Sequence, residues 1–156
     1  MAIRKAILSL STIAILTIYM FNSVAAAPVN KQTTDVHRSY AMDAPIKTQT
    51  GLVLALSNNT TVVGTPVDIV GALAAKEHDT IHFIGGATIT IQQLGTNGTT
   101  WNTIGTAQTL STGNETGFFG ARITPKSSGY YIVRATYDGD SNYAPTVSNV
   151  VALIVN

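Results

Sequence analysis

The chain is 156 residues long, room for one domain of ordinary size. It contains no Cys, which excludes disulfides, a Cys-based zinc site and a thiol nucleophile. Charged residues make up 11% against a usual share of about 25%, and nine Lys and Arg face eight Asp and Glu, so no basic patch points to nucleic acid.

The N-terminus, MAIRKAILSLSTIAILTIYMFNSVAAAPVN, has a basic start at Arg4 and Lys5, an apolar run from Ala6 to Phe21, and then small residues. This is the three-part layout of a secretory signal peptide, assigned to residues 1–26. Pro28 disfavours a cut after Ala27, which puts cleavage after Ala25 or Ala26. The apolar run is short for a membrane span, which needs roughly 20 residues. A rival reading exists. Arg4-Lys5-Ala6-Ile7 before an uninterrupted apolar stretch also resembles the start of an archaeal type IV pilin, in which the apolar helix is retained and forms the filament core. Only in that case would a membrane contact persist, through the N-terminal segment. With Arg4 and Lys5 removed, seven basic residues face eight acidic ones and the mature chain is near neutrality.

Residues 27–50 show neither helical nor strand periodicity and read as a polar linker or arm. From Gly51 the texture changes to short β-branched runs separated by turn residues. The runs are 51–57, 65–73, 87–94, 100–106, 117–124, 130–137 and 149–155, with 106–111 as a short addition. About seven strands at this spacing predict an all-β, Ig-like β-sandwich of antiparallel strands over residues 51–156, with minimal helix. Asn97-Gly98 predicts a hairpin through a type I′ turn. Asp138-Gly139 and the stretch from Pro125 to Gly129 mark two more reversals.

Alternation assigns the core. Tyr131, Val133, Ala135 and Tyr137 form the only charge-free face of their strand, because Arg134 lies on the other. Val67, Ile69, Gly71 and Leu73 point inward by the same rule, as do Ile89, Ile91, Phe119, Ala121, Ile123, Val151, Leu153 and Val155. Val150 and Ile154 make the last strand apolar on both sides, which implies a cover or a partner surface.

Three stretches look like chemistry. Asp138, Asp140 and Asn142 have the spacing of oxygen ligands in a calcium loop. An EF-hand needs Gly at its sixth position and Glu at its twelfth, and Tyr143 and Asn149 stand there instead. The stretch therefore reads as a turn in which Asp140 bonds nearby backbone, Gly139 takes positive φ, and Tyr143 folds over the sandwich edge. In KEHDTIH, His78 and His82 would lie roughly 13 Å apart on an extended segment, too far to share a metal. The stretch reads as a solvated loop, and no metal or cofactor is expected. No G-x-S-x-G, paired carboxylates or phosphate-cradling glycines appear, so no enzyme is expected. Asn-x-Thr sequons at Asn58, Asn59, Asn97 and Asn114 fall in turns and mark candidate glycosylation positions.

The combination G-x-Y-x-V-x-A-x-Y-x-G-D-x-x-Y-x-x-S, with GATITIQQ, TWNTIGTA and LALSNNTTVVGTPVDIVGAL, resembles the Ig-like repeats of bacterial and archaeal cell-surface proteins, of the bacterial Ig-like group 3 type. The resemblance spans residues 51–156. It implies that Tyr131 is a tyrosine-corner residue and that Val133 takes the place of the Ig cysteine. Tyr137, Gly139, Asp140 and Tyr143 complete the structural motif. It also implies a secreted or cell-surface module, adhesive or structural, with a protein or glycan partner. A self-assembling filament subunit, pilin-like or strand-exchanging, is the alternative. Trp101, on the hairpin strand rather than in the core, is a candidate for stacking on sugar rings.

Overall fold

The computed structural model describes residues 46–156. The signal segment and most of the arm lie outside the described residues. Ten strands follow in chain order: β1 (Thr50–Leu56), β2 (Thr60–Thr61), β3 (Val67–Glu77), β4 (Thr80–Phe83), β5 (Thr88–Leu94), β6 (Trp101–Gln108), β7 (Phe118–Ile123), β8 (Gly129–Tyr137), β9 (Thr146–Val147) and β10 (Val151–Val155). A three-residue 3-10 turn, Gly113–Glu115, is the only helical element among the described residues. The all-β expectation holds.

Two sheets pack face to face. In the first, β3 is central: β1 runs along one side, and β7 and then β4 along the other. In the second the order is β2-β10-β8-β5-β6, with β9 beside the C-terminal end of β8. Pairing is antiparallel except between β10 and β2, and at an isolated bridge from Thr48 to Tyr143. Thr48 N–H donates to Asn142 O at 2.8 Å, and Ala144 N–H donates to Thr48 O at 2.9 Å. Hydrogen bonding of the sandwich therefore begins inside the stretch read as arm.

The core between the sheets holds Leu52, Leu54, Ile69, Leu73, Ile89, Ile91, Phe119, Val133, Ala135 and Tyr137, with Val67, Leu153 and Val155 at one end. Apart from Leu52 and Leu54, these belong to the charge-free faces picked out by alternation. Gly71 is inward because nothing larger fits. A Cβ there would lie 2.3 Å from the Phe119 ring and 2.3 Å from the Val53 carbonyl oxygen.

Three local expectations are corrected. The 94–101 connection is not a two-residue type I′ hairpin: Gly98 has φ of 70°, but Asn97 does not have positive φ. The loop spans Gly95 to Thr100, closed by Gly95 N–H donating to Thr100 O at 2.7 Å. Asn97 Oδ1 accepts from the N–H groups of Thr99 and Thr100, so its side chain replaces the second left-handed residue. KEHDTIH is not a loop but a hairpin, in which Glu77 pairs with Thr80 around His78 and Asp79. The final strand begins at Val151 rather than at residue 149, and a separate two-residue strand, Thr146–Val147, precedes it across Ser148, Asn149 and Val150.

Candidate interaction surface

The Asp138–Tyr143 turn is built around one carboxylate. Asp140 Oδ1 accepts from the N–H groups of Asn142 and Tyr143, each at 2.8 Å. Asp140 Oδ2 accepts from the Tyr137 hydroxyl at 3.0 Å. Those bonds hold the Asp140 carboxyl below the usual carboxylate range, the two backbone donors contributing most. Burial pushes the Tyr137 hydroxyl up to about 12, and the neighbouring Asp140 charge adds to the shift. Gly139 has φ of 79°, and a Cβ there would come within 2.7 Å of Tyr143 O. Tyr143 packs against the core edge. Both carboxylate oxygens of Asp140 are thus engaged inside the protein. Among the described residues no group of three or more His, Asp or Glu could hold a metal ion.

Tyr131 sits at the opposite end of β8. Its hydroxyl donates to Ser127 O at 3.0 Å and accepts from Ser127 N–H at 3.3 Å, tying the strand to the turn that feeds it. This is the bonding pattern of a tyrosine corner. The Ser127 side chain, 3.0 Å away, is the first cause of the lowered Tyr131 pKa. Val133, two residues on, is wholly buried. Tyr131 and Tyr137 therefore anchor the two ends of one strand, while Asp140, Gly139 and Tyr143 shape the turn that follows it.

The sequons separate by geometry. Asn58, Asn59 and Asn114 are exposed. Asn97 is exposed too, but its Nδ2 donates to Thr100 Oγ1 at 2.7 Å, so a glycan on that nitrogen would compete with the loop's own bonds.

On the outer face of the second sheet, Arg134 lies 4.0 Å from the Trp101 ring centroid, and its Nε donates to Gln92 Oε1 at 2.9 Å. One face of the indole is therefore already occupied by a guanidinium. Further across the same face stand Tyr130, Val147, Val150 and Ile154, exposed at 76%, 52%, 54% and 40%. Tyr130 and Ile154 are directly paired across β8 and β10. A groove of about 580 Å³ runs past Gln93, Ile104, Arg122, Ile123 and Tyr131 at the open end of the sandwich, and no His, Asp or Glu lines it.

Sequence reasoning missed Ser148 and Asn149. Ser148 Oγ accepts from Ala135 N–H at 2.9 Å, deep in the core. Asn149 reaches across to the first sheet, its Oδ1 accepting from Leu54 N–H and its Nδ2 donating to Leu54 O, both at 2.9 Å. The polar pair interrupting VSNVVALIV was the signal: two hydrogen-bonding side chains inside an apolar strand need partners.

The fold and these surfaces define an Ig-like β-sandwich domain. No family model matches the chain, and no curated protein matches it. Among solved structures it is similar to the CARDB domain of the PF1109 protein from Pyrococcus furiosus, solved in complex with di-metal ions. Identity is 15% and the TM-score 0.43, over 68% of this chain and 91% of that one. A solution structure of the same domain gives 16% and 0.40, over 70% and 97%. The sporulation control protein Spo0M of Bacillus subtilis gives 11% and 0.42, over 71% of this chain and 50% of that one.

Proposed function

We propose that this chain is a non-enzymatic extracellular module with an adhesive or structural role at the cell surface, contacting a protein or glycan. The observation that carries the reading is the outer face of the second sheet. Tyr130 and Ile154 lie side by side across β8 and β10, and Val150 and Val147, the latter paired with Thr136, continue the apolar exposure towards the other end of β8. Such clustered apolar exposure is a feature of interaction sites. The bonds of Asp140 and Tyr131 are consumed in holding the scaffold, which supports a binding rather than a catalytic role.

The test is binding of the purified protein to cells of its source and to a glycan array. Tyr130→Ala combined with Ile154→Ser should abolish binding while leaving the β-sheet spectrum and melting temperature near those of the parent. A catalytic turnover lost on a single point substitution would overturn the reading. The second reading, a filament subunit, is favoured by the last strand, which exposes Ile154 on one face while burying Leu153 and Val155 on the other. Mass spectrometry of the mature N-terminus discriminates between them. A start at Ala6 or Ile7 supports pilin-type processing, and a start at Ala26 or Ala27 supports ordinary secretion.

A further inference from the structure

The first sheet is apolar on both faces, though only one face meets the core. Leu52, Leu54, Ile69, Leu73 and Ala75 point inward, so Val53, Val70, Ala72 and Ala74 point away from the second sheet. The pairing register lays these outward residues out in rows. Gly51, Ala74 and Phe83 form one, Val53, Ala72 and Phe118 the next, and Ala55, Val70 and Gly120 the third. Phe83 and Phe118 stack with centroids 5.4 Å apart, raising a wall along one side of a floor of small residues. Charge returns past the rows at both ends, at the Asp68–Arg122 ion pair and at Lys76. Val53, Ala72 and Ala74 are only 1%, 0% and 0% exposed, yet no described strand lies over that face.

We propose that this outer face is the docking surface for the chain's own N-terminal apolar run, Ala6–Phe21, retained in the working protein. The sequence outside the described residues holds one stretch apolar enough to match it. Sixteen residues in helical form measure about 24 Å, close to the roughly 20 Å from Val70 to Lys76 along an extended strand. A floor of Gly, Ala and Val lets a helix approach closely, as small residues do at helix contacts. The chain joins the sandwich at Thr48, and Gln49 O accepts from Lys76 N–H at 3.1 Å, at the Ala74 end of the face. Residues 22–45 form the tether, long enough to span the face, and closing so short a loop costs little entropy.

The absence of Cys makes a disulfide-trapping test clean. In the full chain, Ala72→Cys is combined in turn with Ile13→Cys, Ala14→Cys, Ile15→Cys or Leu16→Cys, positions that together circle one helical turn. Thr106→Cys, on the outer face of the other sheet, replaces Ala72→Cys as the control, and thermal melts confirm that each variant folds. Under mild oxidation, at least one Ala72→Cys pair should form an intramolecular disulfide about tenfold faster than its control, as expected from a tethered contact at high effective concentration. Rates equal to the control, or disulfides formed only between chains, overturn the proposal. Both this docking and the filament reading need the segment retained. A chain beginning at Ala26 or Ala27 overturns both, whereas a retained segment that fails to cross-link overturns the docking alone.

Discussion

Gly71 and Phe119 face each other across β3 and β7, and the register pairs them directly. The ring lies over the glycine because a Cβ would collide with it, and also with the backbone of Val53. The Phe119 ring can move, but the Val53 carbonyl is held by the pairing of its strand with β3, so only part of the collision can be relieved. Gly71→Ala should therefore cost about 1–3 kcal/mol, the usual range for overpacking a filled core. Chemical denaturation of the two proteins checks this. Adding Phe119→Leu to Gly71→Ala should recover part of the loss, because the smaller side chain vacates the ring's position. Failure of that rescue would place the strain in the Val53 backbone instead.

At the level of elements, the free edge of β1 is an exposed row of backbone groups unless something occupies it. Asn149 does so at Leu54, with an amide that donates and accepts as a strand would. Asn149→Ala should lower stability by about 1–3 kcal/mol, since two bonds go and Leu54 loses both partners. It should also raise concentration-dependent association, measurable by light scattering, as the edge opens. The hairpin joining β3 to β4 places His78 at φ of 54°, a left-handed conformation that costs a side-chain-bearing residue about 1–2 kcal/mol. His78→Gly should gain about 0.5–1 kcal/mol after the extra chain entropy of glycine is subtracted; a lower melting temperature would refute this. These elements also show where sequence legibility ends. Alternation finds Ile69, Leu73, Ile89, Ile91, Val133 and Leu153 because burial of one sheet face imposes a period of two. The His78 turn carries no Asn-Gly or Gly pair, and β2 is only two residues long, so neither leaves a pattern to read. The Asn149 bridge joins residues 95 apart, a contact that only the packed sheets create. The turn after β8 was legible because Asp140 bonds within three residues of itself, whereas the surface of Tyr130, Val147 and Ile154 needs the β8–β10 and β8–β9 registers to assemble.

For the molecule as a whole, charge contributes little to cohesion. From Ile46 onward five Lys and Arg face six Asp and Glu, and the Arg122–Asp68 pair is the only ion pair among the described residues. Its Arg122 side is half-exposed, a setting in which ion pairs contribute weakly. Thermal stability at neutral pH should accordingly change little between low and high salt. The pH dependence should instead be set mainly by two linked groups at one turn, with Tyr131, whose pKa is lowered, offsetting part of the alkaline loss. Asp140 has a lowered pKa when folded, so its contribution is complete above the ordinary carboxylate range and is lost as pH falls through the folded value. Tyr137 is raised from 10.0 to about 12, so its contribution is complete below pH 10.0 and is lost as pH climbs towards 12. Unfolding free energy plotted against pH should then be flat through neutrality, fall at the acid end, and fall again above about pH 10. Asp140→Asn should remove much of the acid limb and soften the alkaline one, since the carboxylate that helps keep the Tyr137 proton is gone. Tyr137→Phe should remove much of the alkaline limb while leaving most of the acid one, because the backbone donors of Asn142 and Tyr143 dominate the Asp140 shift. Parallel titrations of the parent and the two variants by circular dichroism test this assignment; if neither variant changes the limbs, the pH dependence originates outside this turn.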